Sequence, residues 1–406
     1  MRTYRKGYLL AFFFASLVYS CASPQPSVPT TDSPEANLIP LPNEFITVAQ
    51  LNFWFSGPGC GGGFEAWDCS GKRNTGLTPY LGFTYDNASS SVIRQQIDWA
   101  AEYGVDAFSI EWTTPRGISG SLEETLDDRF LKAPNLNRIR WCIFYDLVLR
   151  LDQTPGLNVD LSKGMDFDNP DVYNTFVSDF DHFAKKYFDQ PEYLKIDGRP
   201  VVYIWGTWNA TGKYIDAFKE AREKAAALGY DVYLVGDIIR TDRFYQGLAS
   251  VYDANSNFVL FVPGESTPRD VSEAVKSLDE AFNKWEKNIS GLKVIGRDDP
   301  VILQPGFSPQ YDDRQFALVN HDRTPIYVPA LNKEQVVDLA TMIRAHAQPS
   351  GSEGWKLIWL NTWNNWPETT TFEPTADSGP KYPAGNYQFD MAEIVRDIFG
   401  GVTFDQ

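Results

Sequence analysis

A chain of 406 residues with 43% hydrophobic side chains can bury a large core as a single enzyme-sized domain. Its formal charge of −17 and isoelectric point near 4.7 argue against nucleic acid or an anionic membrane surface as a partner, because a phosphate backbone demands a basic footprint. The 15% aromatic share belongs mostly to a core, but it also supplies flat apolar rings of the kind that pack against the C–H faces of sugars.

In chain order, Arg2, Arg5 and Lys6 precede the apolar run from Tyr8 to Val18, which is too short to span a bilayer and has the form of a secretory signal. The protein is therefore expected to be exported. Val18-Tyr19-Ser20-Cys21 has the form of a bacterial lipoprotein box with Cys21 as the lipidated residue, although Tyr19 is bulky for that position. Ordinary secretion, with cleavage nearby, is the alternative. Residues 1–20 thus read as signal and 21–43, rich in Pro, Ser and Thr, as an extended tether. Residues 44–406 form the folded domain, and membrane contact is expected only through the anchor.

Within that domain strand-like runs are expected near 46–53, 105–111, 139–145, 201–205, 231–236, 250–253, 301–305 and 356–361. Between them lie helical stripes: Val172, Phe176, Phe180, Phe183 and Tyr187; Val271, Ala274, Leu278, Phe282 and Trp285; Val336, Ala340, Ile343 and Ala347. Eight alternating units predict an α/β fold, a single (β/α)₈ TIM barrel.

Cys60 and Cys69 bracket Gly61-Gly62-Gly63 and in an oxidising compartment either pair or stay free, whereas Cys142 reads as an inert core thiol. His182, His321 and His346 are scattered and no zinc spacing occurs, so neither metal nor cofactor is expected.

Barrel geometry brings polar residues at strand C-termini to one cavity, which selects Asn52, Glu111, Asp146, Asp237, Asp253 and Glu368. Trp54, Trp112, Trp205, Trp208, Trp363 and Trp366 follow or finish strands and are candidate sugar-facing walls, some of which will be packing residues. The last strand breaks into Trp363-Asn364-Asn365-Trp366-Pro367-Glu368-Thr369-Thr370-Thr371-Phe372-Glu373-Pro374, where Glu368 sits among indole rings. Such surroundings disfavour a charged carboxyl and suit a general acid acting on a sugar oxygen.

That segment resembles the Trp-Asn-Glu-Trp-x-Glu-x-Thr-x-x-Glu-Pro signature of glycoside hydrolase family 99, the endo-α-mannosidase-related barrels. Three further stretches are similar to the family's in the same order: Gln95 to Phe108, Tyr193 to Ile204, and Pro305-Gly306-Phe307 with Asp312-Asp313-Arg314. The resemblance covers most of residues 45–375. It implies internal cleavage of an α-mannoside-type glycan, with Glu368 matching the glutamate that protonates the leaving oxygen and Asn365 standing where the family has its other glutamate.

Glycoside hydrolysis needs two carboxyl groups, so Asp146, Asp237 or Glu111 is expected to supply the second, with Asn365 and Glu373 beside the substrate. If catalysis has been lost, the barrel is a glycan-binding surface lipoprotein. A barrel enzyme of cell-surface polysaccharide assembly is a third reading.

Overall fold

Phe45–Leu51, Phe-Ile-Thr-Val-Ala-Gln-Leu, is buried along its whole length, as a strand covered on both faces must be, and it forms the first strand of the barrel (β1). The computed structural model describes residues 44–55, 77–82, 86–87, 89–116, 121–152, 165–208, 210–239, 244–258, 271–308, 310–312, 331–376 and 389–400. The signal, Cys21, the tether, Cys60, Cys69 and Asp313-Arg314 lie outside the described residues.

The other barrel strands are β2 (Ala107–Trp112), β3 (Arg140–Asp146), β4 (Arg199–Trp205), β5 (Tyr233–Asp237), β6 (Ala254–Ser256), β7 in two short pieces (Ile302–Leu303 and Gly306–Phe307) and β8 (Trp355–Leu360). Each is parallel to its neighbours, and β8 returns to β1 with Trp359 opposite Val48. The first piece of β7 pairs with β6, Ala254 opposite Ile302, and the second pairs with β8, Trp359 opposite Gly306, so the sheet closes on itself. Between the pieces lies Pro305, which has no N–H to give to a ladder but accepts from the Trp359 backbone N–H at 3.2 Å. Gly306 is required there by space alone: a Cβ would lie 2.1 Å from the Asn257 carbonyl oxygen.

The (β/α)₈ barrel expected from sequence is therefore present, with one strand displaced. β6 begins at Ala254 rather than spanning 250–253, which moves Asp253 to the N-terminal end of the barrel. There it accepts from Arg222 Nη2 at 2.8 Å, Arg199 Nη2 at 2.5 Å and the Leu234 N–H at 2.8 Å, and the neighbouring cations outweigh burial to hold its carboxyl below the usual range. Asp253 is thus a structural clamp on the face away from the site.

Inside the barrel Trp359 occupies the axis, its ring centroid 4.8 Å from Tyr203, 5.5 Å from Phe144 and 5.6 Å from Phe258, with Nε1 donating to Ser109 Oγ at 3.3 Å. Outside it the helices pack through their apolar stripes. Pro170–Lys186 starts on Asn169, whose side chain accepts from the Asp171 N–H, and buries Val172, Phe176, Phe180 and Phe183. Lys333–His346 opens with a capping box between Asn332 and Gln335 and buries Val336, Ala340 and Ile343. Leu278, Phe282 and Trp285 face the core from Val271–Ile289, and Cys142 is a buried free thiol in β3.

Candidate active site

The chain leaves β8 at Leu360 and runs as an anchored loop across the C-terminal face. Asn364 acts as a clasp on the end of β1: its Oδ1 accepts from the Asn52 N–H at 2.8 Å and its Nδ2 donates to the Asn52 carbonyl at 2.9 Å. Farther on, Glu373 accepts from Gln96 Nε2 at 3.0 Å, which bolts the loop to the helix Ser90–Glu102. Trp363 is fully buried edge-on against Phe108, ring centroids 5.4 Å apart, and Trp366 is buried with Phe55 and Leu77. Trp363, Trp366 and Glu373 therefore form the loop's foundation and offer no face to a sugar, contrary to the expectation from sequence.

Above that foundation stands Glu368, half-buried, with both carboxyl oxygens occupied. Asn365 Nδ2 donates to Oε2 at 2.8 Å and the Tyr311 hydroxyl donates to Oε1 at 3.0 Å. The backbone is held as well, since the Asp312 N–H donates to the Glu368 carbonyl at 2.8 Å and Thr369 Oγ1 donates to the Asp312 carbonyl at 2.8 Å. Thr369 adopts φ of 60°, a left-handed conformation that a β-branched residue holds only when its surroundings impose it. Tyr311 follows the seventh strand in a loop without periodicity, and nothing in the sequence marks it.

Glu111 lies one residue before the end of β2, opposite Phe144, and Asp146 ends β3 two residues farther along, near enough for the two carboxyls to interact. Asp146 Oδ1 accepts from the Leu149 N–H at 2.9 Å, capping the helix Leu147–Asp152, while burial pushes its carboxyl up to about 7 against the pull of the backbone and Glu111 hydrogen bonds. Glu111 is raised well above the ordinary glutamate value by burial, by the Asp146 charge and hydrogen bond, and by the Glu368 charge, with the Trp54 side chain opposing. Glu111 thus lies within electrostatic reach of both Asp146 and Glu368.

Other candidates separate by the face they occupy. Trp112, next to Glu111 in β2, points the opposite way, packs edge-on against Phe183 at 4.7 Å and donates its Nε1 to Glu123 at 3.4 Å, so it is a packing residue. Asp237 accepts from the Phe258 N–H at 2.7 Å and secures the turn after β6. Asn52 is buried at the end of β1 with Oδ1 accepting from Gln50 Nε2 at 2.9 Å, and its Nδ2 finds no partner among the described residues. Trp54, Trp205 and Trp208 are partly exposed, with Trp205 and Trp208 edge-on at 4.9 Å and Phe258 at 6.0 Å from Trp205.

A family model described as Glycosyltransferase WbsX matches residues 171–384, just over half of the chain. Among solved structures, a glycoside hydrolase-like protein superposes with TM-score 0.62 at 17% identity, covering 90% of this chain and 99% of that one. Two structures of the GH99 endo-α-mannosidase from Bacteroides thetaiotaomicron follow at TM-scores 0.57 and 0.55 and identities of 15% and 14%, each covering 87% of this chain and 97% of its own. At these identities the likeness is one of fold. No curated protein matches the chain.

Proposed function

The chain belongs to the WbsX glycosyltransferase family, and from that premise we propose that it acts on glycosidic bonds, hydrolysing those of an oligo- or polysaccharide at the C-terminal mouth of its barrel. The observation that carries this reading is the proximity of Glu111, near the end of β2, to Asp146 at the end of β3 and to Glu368 in the loop after β8. Carboxyl groups on either side of a scissile bond are what glycoside hydrolysis needs, one to protonate the leaving oxygen and one to activate water or attack carbon.

The partly exposed rings of Trp54, Trp205 and Trp208 support a neutral sugar ligand, as does the charge of −17, which repels anionic substrates. An α-mannan-type glycan is the first substrate to try, on the fold likeness to endo-α-mannosidases. Export and lipid anchoring through Cys21 would place the barrel among such glycans; intact mass of protein from its native host should show diacyl or triacyl addition on Cys21, and an unmodified soluble chain would exclude it.

A second reading, sugar transfer from a nucleotide-sugar donor, is favoured by the description of the family itself. A third, glycan binding without turnover, is favoured by Asn365 in the place of a glutamate. Release of reducing ends from α-mannans and other α- and β-linked polysaccharides, with wild type and Glu368→Gln compared, tests all three. Products without any donor, lost in the variant, support hydrolysis. Products only with a nucleotide sugar present favour transfer, and saturable binding with no products favours the binding protein.

A further inference from the structure

Glu368, the least buried of the three carboxyls, is gripped from two loops. From its own loop Asn365 uses both atoms of its amide: Nδ2 donates to Glu368 Oε2 at 2.8 Å, and Oδ1 accepts from the Glu368 N–H at 3.4 Å. From the loop after β7 the Tyr311 hydroxyl donates to Oε1 at 3.0 Å and the Asp312 N–H donates to the Glu368 carbonyl at 2.8 Å, while Thr369 Oγ1 donates back to the Asp312 carbonyl at 2.8 Å. Both loops spring from one seam, since Phe307 at the end of β7 lies opposite Leu360 at the end of β8. The turn that leads to Tyr311 is itself closed, with Ser308 Oγ donating to the Gln310 carbonyl at 2.9 Å, and Tyr311 is only 5% exposed.

The two side-chain donors act on different oxygens, and that decides what they do. A carboxyl held by one donor still turns about its last C–C bond, because that torsion is broad. A second donor on the other oxygen fixes the plane, and each oxygen keeps a further lone pair for a ligand or a water.

We propose that Tyr311 is a positioning residue for Glu368: reaching in from the loop after β7, its hydroxyl sets the plane of the carboxyl and so the direction in which Glu368 gives or takes a proton. This rests on the glycosidase reading above and holds whether Glu368 serves as acid or as base. Tyr311 acts through Glu368 and needs no contact with the sugar.

A mutant cycle on turnover tests it, using whichever glycan wild type cleaves best among α-mannan and other α- and β-linked polysaccharides. Tyr311→Phe keeps the ring and removes the hydroxyl. It should lower kcat about 10- to 100-fold, since a misaimed catalytic group loses rate rather than binding, with KM within about twofold of wild type. In the Glu368→Gln background the same change should cost less than about threefold, because the group that Tyr311 aims is already gone. Equal losses in the two backgrounds, as a merely structural role would give, overturn the proposal. So does a raised KM with kcat unchanged, which would make Tyr311 a contact to the sugar.

A second readout needs no turnover. In protein labelled with ¹³C at glutamate Cδ, the resonance lost in Glu368→Gln should titrate about half a pH unit or more higher in Tyr311→Phe than in wild type, because a hydrogen bond to the carboxylate has been removed. Titration at the same pH in both proteins overturns the proposal. Wild type inert on every glycan would sink the glycosidase reading, and the titration would still decide whether Tyr311 holds Glu368.

Discussion

Asn365 donates to Glu368 across 2.8 Å, from a position three residues earlier in the same loop. The contact makes the amide a partner to the carboxylate where a second carboxylate would repel it. Asn365→Asp should lower kcat about 10- to 100-fold, because like charges at this distance disturb each other by several kcal/mol at the low effective dielectric of a protein site. Asn365→Ala, which removes the donor without adding charge, should fall less. Steady-state kinetics of the two variants checks the order, and equal losses would mean that the charge is not what matters.

Asp146 makes stability depend on pH. Its unfolded value lies near 3.8 and its folded value is pushed up to about 7, so between these limits the unfolded chain releases a proton that the folded chain keeps. Stability contributed at this position therefore falls as pH rises through the window, by at most about 1.4 kcal/mol per pH unit, and levels off beyond it. Denaturant titrations of wild type and Asp146→Asn from pH 4.5 to 8 should show the difference between them shifting steadily in favour of the variant. A constant difference would place the titration elsewhere.

Turnover should respond at the upper edge of that window. Loss of the Asp146 proton near pH 7 adds a second negative charge beside Glu111 in the site, so kcat should decline above neutrality, and Asp146→Asn should remove that part of the decline. The pH–rate profile on the polymer reads this directly.

Asp253 carries stability rather than activity. Its side chain is 3% exposed and faces Arg222 and Arg199, so Asp253→Asn leaves two half-buried guanidinium groups with a weakened partner. Breaking a buried pair from one side costs about 3–5 kcal/mol, and the denaturation midpoint should drop accordingly while kcat per folded molecule is unchanged. The folded value is depressed, so the stabilisation is full above the ordinary aspartate range and is lost as pH falls through the depressed value.

Gly306→Ala should loosen the closure of the barrel. The added methyl would meet the Asn257 carbonyl oxygen at 2.1 Å and Asn361 Nδ2 at 2.8 Å, and forcing those groups apart costs about 1–3 kcal/mol. Thermal unfolding measures it, and an unchanged melting temperature would show that the seam has slack.

Most of the barrel is legible in the sequence because its strands are short apolar runs cut off by Gly, Pro or a polar residue. β6 is the exception for a physical reason. Val251 and Tyr252 look like its strand, but Tyr252 is buried by packing against Phe218, while the paired residues, Ala254, Asn255 and Ser256, carry no apolar signal. The tryptophans fail differently. A period of two says that Glu111 and Trp112 point apart without saying which faces inward, so both enter a list of site residues from which only one survives. Glu373 and Gln96 are 277 positions apart, and Tyr311 touches Glu368 from 57 positions away; neither contact leaves a trace in local pattern.

Trp359 seals the middle of the barrel beneath the three carboxyls, with Phe144, Tyr203 and Phe258 around it. Among the described residues these rings make a floor under the carboxyls, so a ligand reaching them would arrive and depart from the mouth, and the aromatic floor would fix how deep it can sink.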